Sequence, residues 1–218
     1  MLFPHHIGKL IPSLFPNLTW QRETEQKTVY LTFDDGPVPE ITDFVLQELT
    51  IRNAKATFFC VGENIAKYPQ IFEKILQAGH QVGNHTNNHI NGWLFDDHLY
   101  FKNVELCQKE IDKFETGKYL PPKTNGQKKL FRPPYGKITR KQIEKLQQDY
   151  EIVMWTLLSG DFDRTLNPQK CLEKTSKYTE NGTIVVFHDS IKAAKNLQFV
   201  LPKYLDFLVE QGYQFNTL

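Results

Sequence analysis

Val29-Tyr30-Leu31-Thr32-Phe33-Asp34-Asp35-Gly36-Pro37 is the stretch on which the reading of this chain turns. A short apolar run with β-branched and aromatic residues fits a buried strand, and Gly36-Pro37 ends it. Two carboxylates therefore stand side by side where a strand stops. Ile41, Phe44, Val45 and Leu49 follow at helical spacing, so strand gives way to helix.

The same alternation continues outward. Ala56–Val61 reads as a strand, and Pro69 opens a helix striped by Ile71, Phe72, Ile75 and Leu76 that Gly79 stops. A short strand over Gln81–Gly83 leads to His85. Tyr100, Val104, Cys107, Ile111 and Phe114 predict an amphipathic helix. Gly117–Lys129 is a loop rich in Pro, Gly and Lys. Leu130-Phe131 resumes a strand, Ile143 and Leu146 mark a helix, and Glu151–Trp155 begins another strand. Asn167-Pro168 predicts an N-cap and first helical residue, Thr183–Phe187 is strongly β-prone, and Leu197–Leu208 forms a long helix that Pro202 kinks or restarts. Tyr213–Asn216 adds a final strand.

Repeated βα units imply a mainly parallel sheet, either a barrel or an open doubly wound sheet. Asp34, Asp35, His85, Arg132 and His188 each follow a predicted strand, and that shared position favours a barrel, whose chemistry gathers at the C-terminal strand ends. Residues 1–26 are Pro-punctuated and predict an extension packed on the outside; residues 27–218 form a single catalytic domain.

The 218 residues suit one domain, and 40% hydrophobic content with 13% aromatics is globular. Formal net charge is +1 with no basic run, which excludes a nucleic-acid partner as the expectation. Cys60, Cys107 and Cys171 show no paired spacing, so a disulfide framework is not expected, and Cys60 and Cys107 read as buried thiols. No apolar stretch is long enough for a transmembrane span. Met1–His6 lacks a basic n-region and Ile11–Leu18 is broken by Pro12 and Pro16, so the sequence as it stands reads as cytoplasmic unless a leader was removed.

Four constellations carry chemistry, although each alone also fits a bland reading. Asp34-Asp35-Gly36-Pro37 is equally a turn; its functional reading is one carboxylate on a metal and the other as base for water. His85-Thr86-Asn87-Asn88-His89 puts two imidazoles on one helical face or one side of a tight loop, without the glutamate of an HExxH motif. With an aspartate it makes a two-histidine, one-carboxylate set suited to zinc, cobalt, nickel or iron(II). Phe131-Arg132-Pro133-Pro134-Tyr135-Gly136 is a stiff turn whose guanidinium can orient a carboxylate and whose backbone can aim an N–H at an oxyanion. Asp161 and His188-Asp189 suggest a carboxylate holding an imidazole protonated as a general acid. His5, His6, His80 and His98 have no such context. Together these residues point to a metal-dependent hydrolase.

In this order the motifs resemble the polysaccharide deacetylases, the NodB-homology group also called carbohydrate esterase family 4. The matching pieces are Thr32–Pro37, His85-Thr86-x-x-His89, Arg132–Gly136, Ser159-x-Asp161 and His188-Asp189, within residues 28–218. The resemblance implies an α/β fold, a distorted (β/α)7-type barrel, and metal-dependent hydrolysis of N-acetyl or O-acetyl groups on a glycan or oligosaccharide. It makes Asp34 the base, Asp35, His85 and His89 the ligands of one divalent ion, zinc first, and Arg132 the residue that positions the base. Tyr135 would supply its backbone N–H to the oxyanion, His188 would be the acid, Asp161 would orient it, and the Thr86 hydroxyl would brace the ligand loop. Phe162 stands where many members have Trp, and Val186 where Leu often lines the acetyl-methyl groove; both stay apolar. Trp93, in Asn91–Phe95, is placed either to stack on a sugar or to pack beneath its loop, and this segment and Gly117–Lys129 lie where substrate is shaped. The alternatives are an amide hydrolase of deformylase or ureide-opening type acting on a small substrate and, more distantly, a silent carbohydrate-binding protein.

Overall fold

The structure, a computed structural model, describes residues 5–8, 10–114 and 128–218. Seven parallel strands curl into a distorted barrel: β1 (Thr28–Asp34), β2 (Ala56–Cys60), β3 (Gln81–Asn84), β4 (Lys129–Phe131), β5 (Tyr150–Ile152), β6 (Leu157–Leu158) and β7 (Ile184–His188). Their spatial order is β5-β4-β3-β2-β1-β7-β6, with β8 (Gln214–Phe215) paired beside the start of β1. Most of the expected sequence 117–129, namely Gly117–Gln127, lies outside the described residues.

The pleat of β1 sorts its side chains. Val29, Leu31 and Phe33 face the helix layer, where they join Val45, Leu49, Phe72, Val185, Leu201 and Leu205 in the largest apolar cluster. Tyr30 faces the lumen with Phe59, Leu130, Val153 and Ile184. Because side chains alternate along a strand, Thr32 and Asp34 continue the Tyr30 row and bring Asp34 to the rim. The helices that cover the barrel are α2 (Ile41–Ile51), α3 (Gly62–Lys67), α4 (Pro69–Gln77), α5 (Asp97–Asp112), α6 (Arg140–Leu146), α7 (Pro168–Lys177) and α8 (Ala194–Glu210), after a short α1 (Leu10–Leu14) in the extension. Asn167 caps α7 through Gln169 N–H at 2.8 Å, with Pro168 at the first position, as the sequence predicts. Pro202 lies inside α8, which runs on through it as one helix. Among the described residues no helix is long and apolar enough to cross a membrane.

Three elements were not anticipated: α1, α3 and β6. The strand expected over 151–155 ends at Ile152, and the barrel is open between β5 and β6. Residues 5–8 and 10–22 line that gap. Leu158 N–H donates to the His5 carbonyl (2.8 Å), Ile7 N–H to Thr156 (2.8 Å), Thr19 N–H to Ile152 (2.9 Å), Met154 N–H to Thr19 (2.7 Å) and Arg22 N–H to Gly182 (3.0 Å). Leu18 and Trp20 are buried against Phe131, Ile143, Tyr150 and Ile152. The extension thus satisfies backbone groups that an open barrel edge leaves unpaired.

Trp20→Ala should therefore destabilise the protein by about 3–5 kcal/mol, the usual loss for a buried large aromatic, seen as a lower urea midpoint. A loss below ~1 kcal/mol would mean that the extension adds little to the fold.

Candidate active site

The site sits on the rim at the C-terminal strand ends. Arg132, one residue beyond β4, is fully buried. Its Nη1 donates to Asp34 Oδ1 (2.7 Å) and to Thr32 Oγ1 (2.7 Å), Nη2 to the Met154 carbonyl (2.9 Å) and Nε to that of Val153 (3.2 Å). The guanidinium lies 4.1 Å over the Phe59 ring, so its plane is covered and four of its five N–H groups are bonded.

Asp35 follows Asp34 in the left-handed region at φ 83°. Its carboxylate meets both imidazoles: Oδ1 is 3.2 Å from His89 Nε2 and 3.8 Å from His85 Nε2. The three potential ligand atoms lie within 4.8 Å of one another, and no other group of three such side chains is found among the described residues. His85 Nδ1 is 2.8 Å from the Arg132 carbonyl. A carbonyl only accepts, so the ring proton is on Nδ1, and the Nε2 lone pair faces Asp35. Burial pushes the His85 pKa down to about 4, which keeps that lone pair free at neutral pH. His89 Nδ1 is 3.1 Å from the exposed Tyr135 hydroxyl, and the two rings meet edge to face. Burial raises the Asp35 carboxyl, but the His89 hydrogen bond and the charges of His188, His89 and His85 outweigh it and hold it well below the usual carboxylate range. These residues fit a divalent cation: one anionic oxygen and two nitrogens, one of them fixed in the ligand tautomer.

Of the two geometries open to His85–His89, the loop is the one formed. Thr86 and His89 both have positive φ, 64° and 57°. Thr86 Oγ1 accepts the Ile90 N–H (3.2 Å), and its own N–H donates to Asn84 Oδ1 (2.9 Å). The first turn of α3 donates Gly62 N–H to the Thr86 carbonyl (3.1 Å) and Glu63 N–H to that of Asn87 (2.8 Å). Asn103 Oδ1 takes the N–H groups of Asn87 (2.8 Å) and Asn88 (3.3 Å).

Opposite, His188 closes β7. Asp161 is buried; its Oδ1 is 2.8 Å from His188 Nδ1, and its Oδ2 accepts the His188 N–H at 2.7 Å. Burial lowers the His188 pKa, but the Asp161 charge and hydrogen bond overcome it and raise it to about 9. Phe162 meets the His188 ring edge to face at 5.0 Å. Val186, on the same strand face as His188, is fully buried and in register with Thr32. Trp93 is 59% exposed rather than packed beneath its loop; its indole N–H donates to the Ile138 carbonyl (3.0 Å), and Lys137 Nζ lies 3.8 Å from the ring centre. His80 is a buried core residue accepting the Ala56 N–H, and His5 ties the extension to Leu158. All three cysteines are free and buried.

Asn84, Asn103 and Asn64 take part in the site without having been singled out, and Asp189, noted only beside His188, has contacts of its own there. Asp189 carried the same signal as His188, a polar residue closing an apolar strand. The asparagines carried none, because they act mostly on backbone groups, whose position residue type does not reveal.

The polysaccharide deacetylase family's sequence profile matches residues 21–154. A peptidoglycan-N-acetylglucosamine deacetylase of Bacillus cereus is 32% identical over 204 residues, covering 92% of this chain and 91% of that protein. A peptidoglycan-N-acetylglucosamine deacetylase of Listeria monocytogenes is 31% identical over 193 residues, which span 88% of this chain and 38% of that longer protein. The crystal structure of the Bc1960 peptidoglycan N-acetylglucosamine deacetylase superposes with a TM-score of 0.82 at 27% identity, covering 93% of this chain and 91% of that one. The barrel, the rim constellation and these matches agree: the chain belongs to the polysaccharide deacetylase family.

Proposed function

We propose that the protein hydrolyses the N-acetyl groups of an amino-sugar glycan, releasing acetate and a free amine, with one divalent ion, zinc first, held by Asp35, His85 and His89. The observation that carries this reading is the ligand cluster flanked by two separate proton-handling pairs, Arg132–Asp34 and Asp161–His188. The relatives named above act on peptidoglycan, and a 29% identical Saccharomyces cerevisiae relative is a chitin deacetylase, so a polymer of N-acetylated sugars is the substrate class.

When bound, the ion supplies Lewis acidity towards water and the acyl carbonyl. Asp34 takes the proton of the attacking water, and the Arg132 guanidinium aims its carboxylate. The Tyr135 backbone N–H, in a turn with φ 59°, would supply the hydrogen bond to the developing oxyanion. Phe162 bounds the acetyl methyl group, with Val186 backing the site from within the barrel, while Trp93 offers a ring face to a neighbouring sugar. His188, held protonated by Asp161, delivers a proton to the leaving nitrogen, which cannot depart as an anion.

The metal-free protein should bind up to one equivalent of zinc in a calorimetric titration. His85→Ala combined with His89→Ala should abolish that binding, and parent-like affinity would sink the ligand assignment.

Asp34→Asn should keep the metal and lose about 10²–10⁴-fold in kcat on an N-acetylated chitooligosaccharide, the usual contribution of general acid–base catalysis. Loss of the metal instead would exchange the roles of Asp34 and Asp35.

The pH–rate profile tests the acid. A raised histidine pKa keeps the proton below it, so the rate should fall as pH rises through the His188 value of about 9. A bound cation repels the imidazolium and draws that limb to lower pH in the loaded enzyme. Asp161→Asn should move it further down, towards the ordinary histidine value, and an unmoved limb would remove His188 from the role of acid.

A further inference from the structure

We propose that Asp189 is a positioning residue for the metal site, its carboxylate clamping the Gly36–Val38 segment so that Asp35 meets His85 and His89. The inference rests on the metal-site reading above and adds the residue that shapes the ligand loop. Asp189 is fully buried directly after β7. Its Oδ1 accepts the Gly36 N–H (3.0 Å), and its Oδ2 accepts the Thr42 hydroxyl (2.6 Å). Thr42, buried at the start of α2, accepts in turn the Val38 N–H (2.8 Å). The Asp189 N–H donates to the Asp34 carbonyl (3.1 Å), closing the circuit on β1.

The loop so held is a strained one. Asp35 at φ 83° is in a region that L side chains avoid, and only surrounding contacts keep a residue there. Asn64 Nδ2 grips the Asp35 carbonyl (2.7 Å), and Val61 N–H grips that of Gly36 (3.0 Å). A Cβ at position 36 would overlap the Asp189 carboxylate, so glycine is what lets the backbone approach it. An ionised carboxyl is costly here: burial and the Asp35 charge push the Asp189 pKa up to about 8 against the Thr42 and Gly36 hydrogen bonds. An apolar side chain would escape that cost but could not hold two donors from separate elements.

The test measures zinc affinity of the metal-free protein by competition with a chromophoric chelator, alongside the melting temperature of the metal-free form. Asp189→Ala should weaken zinc about 10-fold or more, within the range for outer partners of metal ligands. Asp189→Asn, which keeps an acceptor for Gly36 and gives Thr42 an N–H to accept, should recover affinity to within roughly threefold. Thr42→Val keeps the side-chain shape and cuts one link, and should weaken zinc by roughly threefold or more. A lower melting temperature with parent zinc affinity in Asp189→Ala would reduce Asp189 to a structural role and overturn the proposal. If Asp189→Ala does not fold, Thr42→Val decides, and unchanged affinity there overturns it equally. Failure of the underlying reading shows differently, as a parent that binds no zinc or binds it without His85 and His89.

Discussion

The buried Arg132–Asp34 pair is the constraint on which the rim depends. A guanidinium with no solvent exposure survives only if its donors are satisfied, and removing one partner of such a pair costs about 3–5 kcal/mol. Here the donors reach β1 through Thr32 and Asp34 and the segment after β5 through Val153 and Met154. The backbone of the same residue takes the His85 ring proton on its carbonyl and donates its N–H to Asn84. One residue therefore orients the carboxylate beside the proposed ligands and selects the tautomer of one of them, His85. Replacing it with lysine would keep a charge and lose the fork.

Around that anchor, strain is concentrated where the chemistry would occur. Asp35, Thr86, His89 and Tyr135 all take positive φ without being glycine. The first three are over-determined by contacts from elsewhere: Asn64 and Asp189 for the Asp35 loop, Asn84, Asn103 and α3 for the histidine loop. Such conformations cost about 1–3 kcal/mol each and persist only under that support. This is why asparagines that touch no substrate belong to the site's construction.

How much of this was legible follows from which signals are local. The strand Val29–Phe33, the capped helix at Asn167-Pro168 and the rim position of Asp34, His85, Arg132 and His188 all lie in short stretches of sequence, and the fold follows from them. The short elements were not legible: α3 has six residues and β6 two, too few for periodicity to register. The choice of loop over helix for His85–His89 was equally undecided, because β-branched Thr86 gives no hint of a left-handed backbone. Pro12 and Pro16 suggested an outer extension, whereas its part in completing the barrel is made of backbone hydrogen bonds, to which residue type is nearly blind.

On the proposed assignment, the site's two histidine environments turn one side chain to opposite ends. His85 and His188 are both enclosed at the rim, and for both, burial alone disfavours the charged ring. His85 gives its Nδ1 proton to a neutral carbonyl, which compensates little, and its pKa falls to about 4. His188 faces a buried carboxylate that accepts from both its ring and its backbone, and its pKa rises to about 9. A carbonyl partner thus leaves a neutral nitrogen with a free lone pair, as a metal ligand must have. A carboxylate partner leaves a proton available at neutral pH, as an acid for an amine leaving group must have. The difference between the proposed ligand and the proposed acid lies in the oxygen each ring meets: the backbone of Arg132 in one case and the side chain of Asp161 in the other.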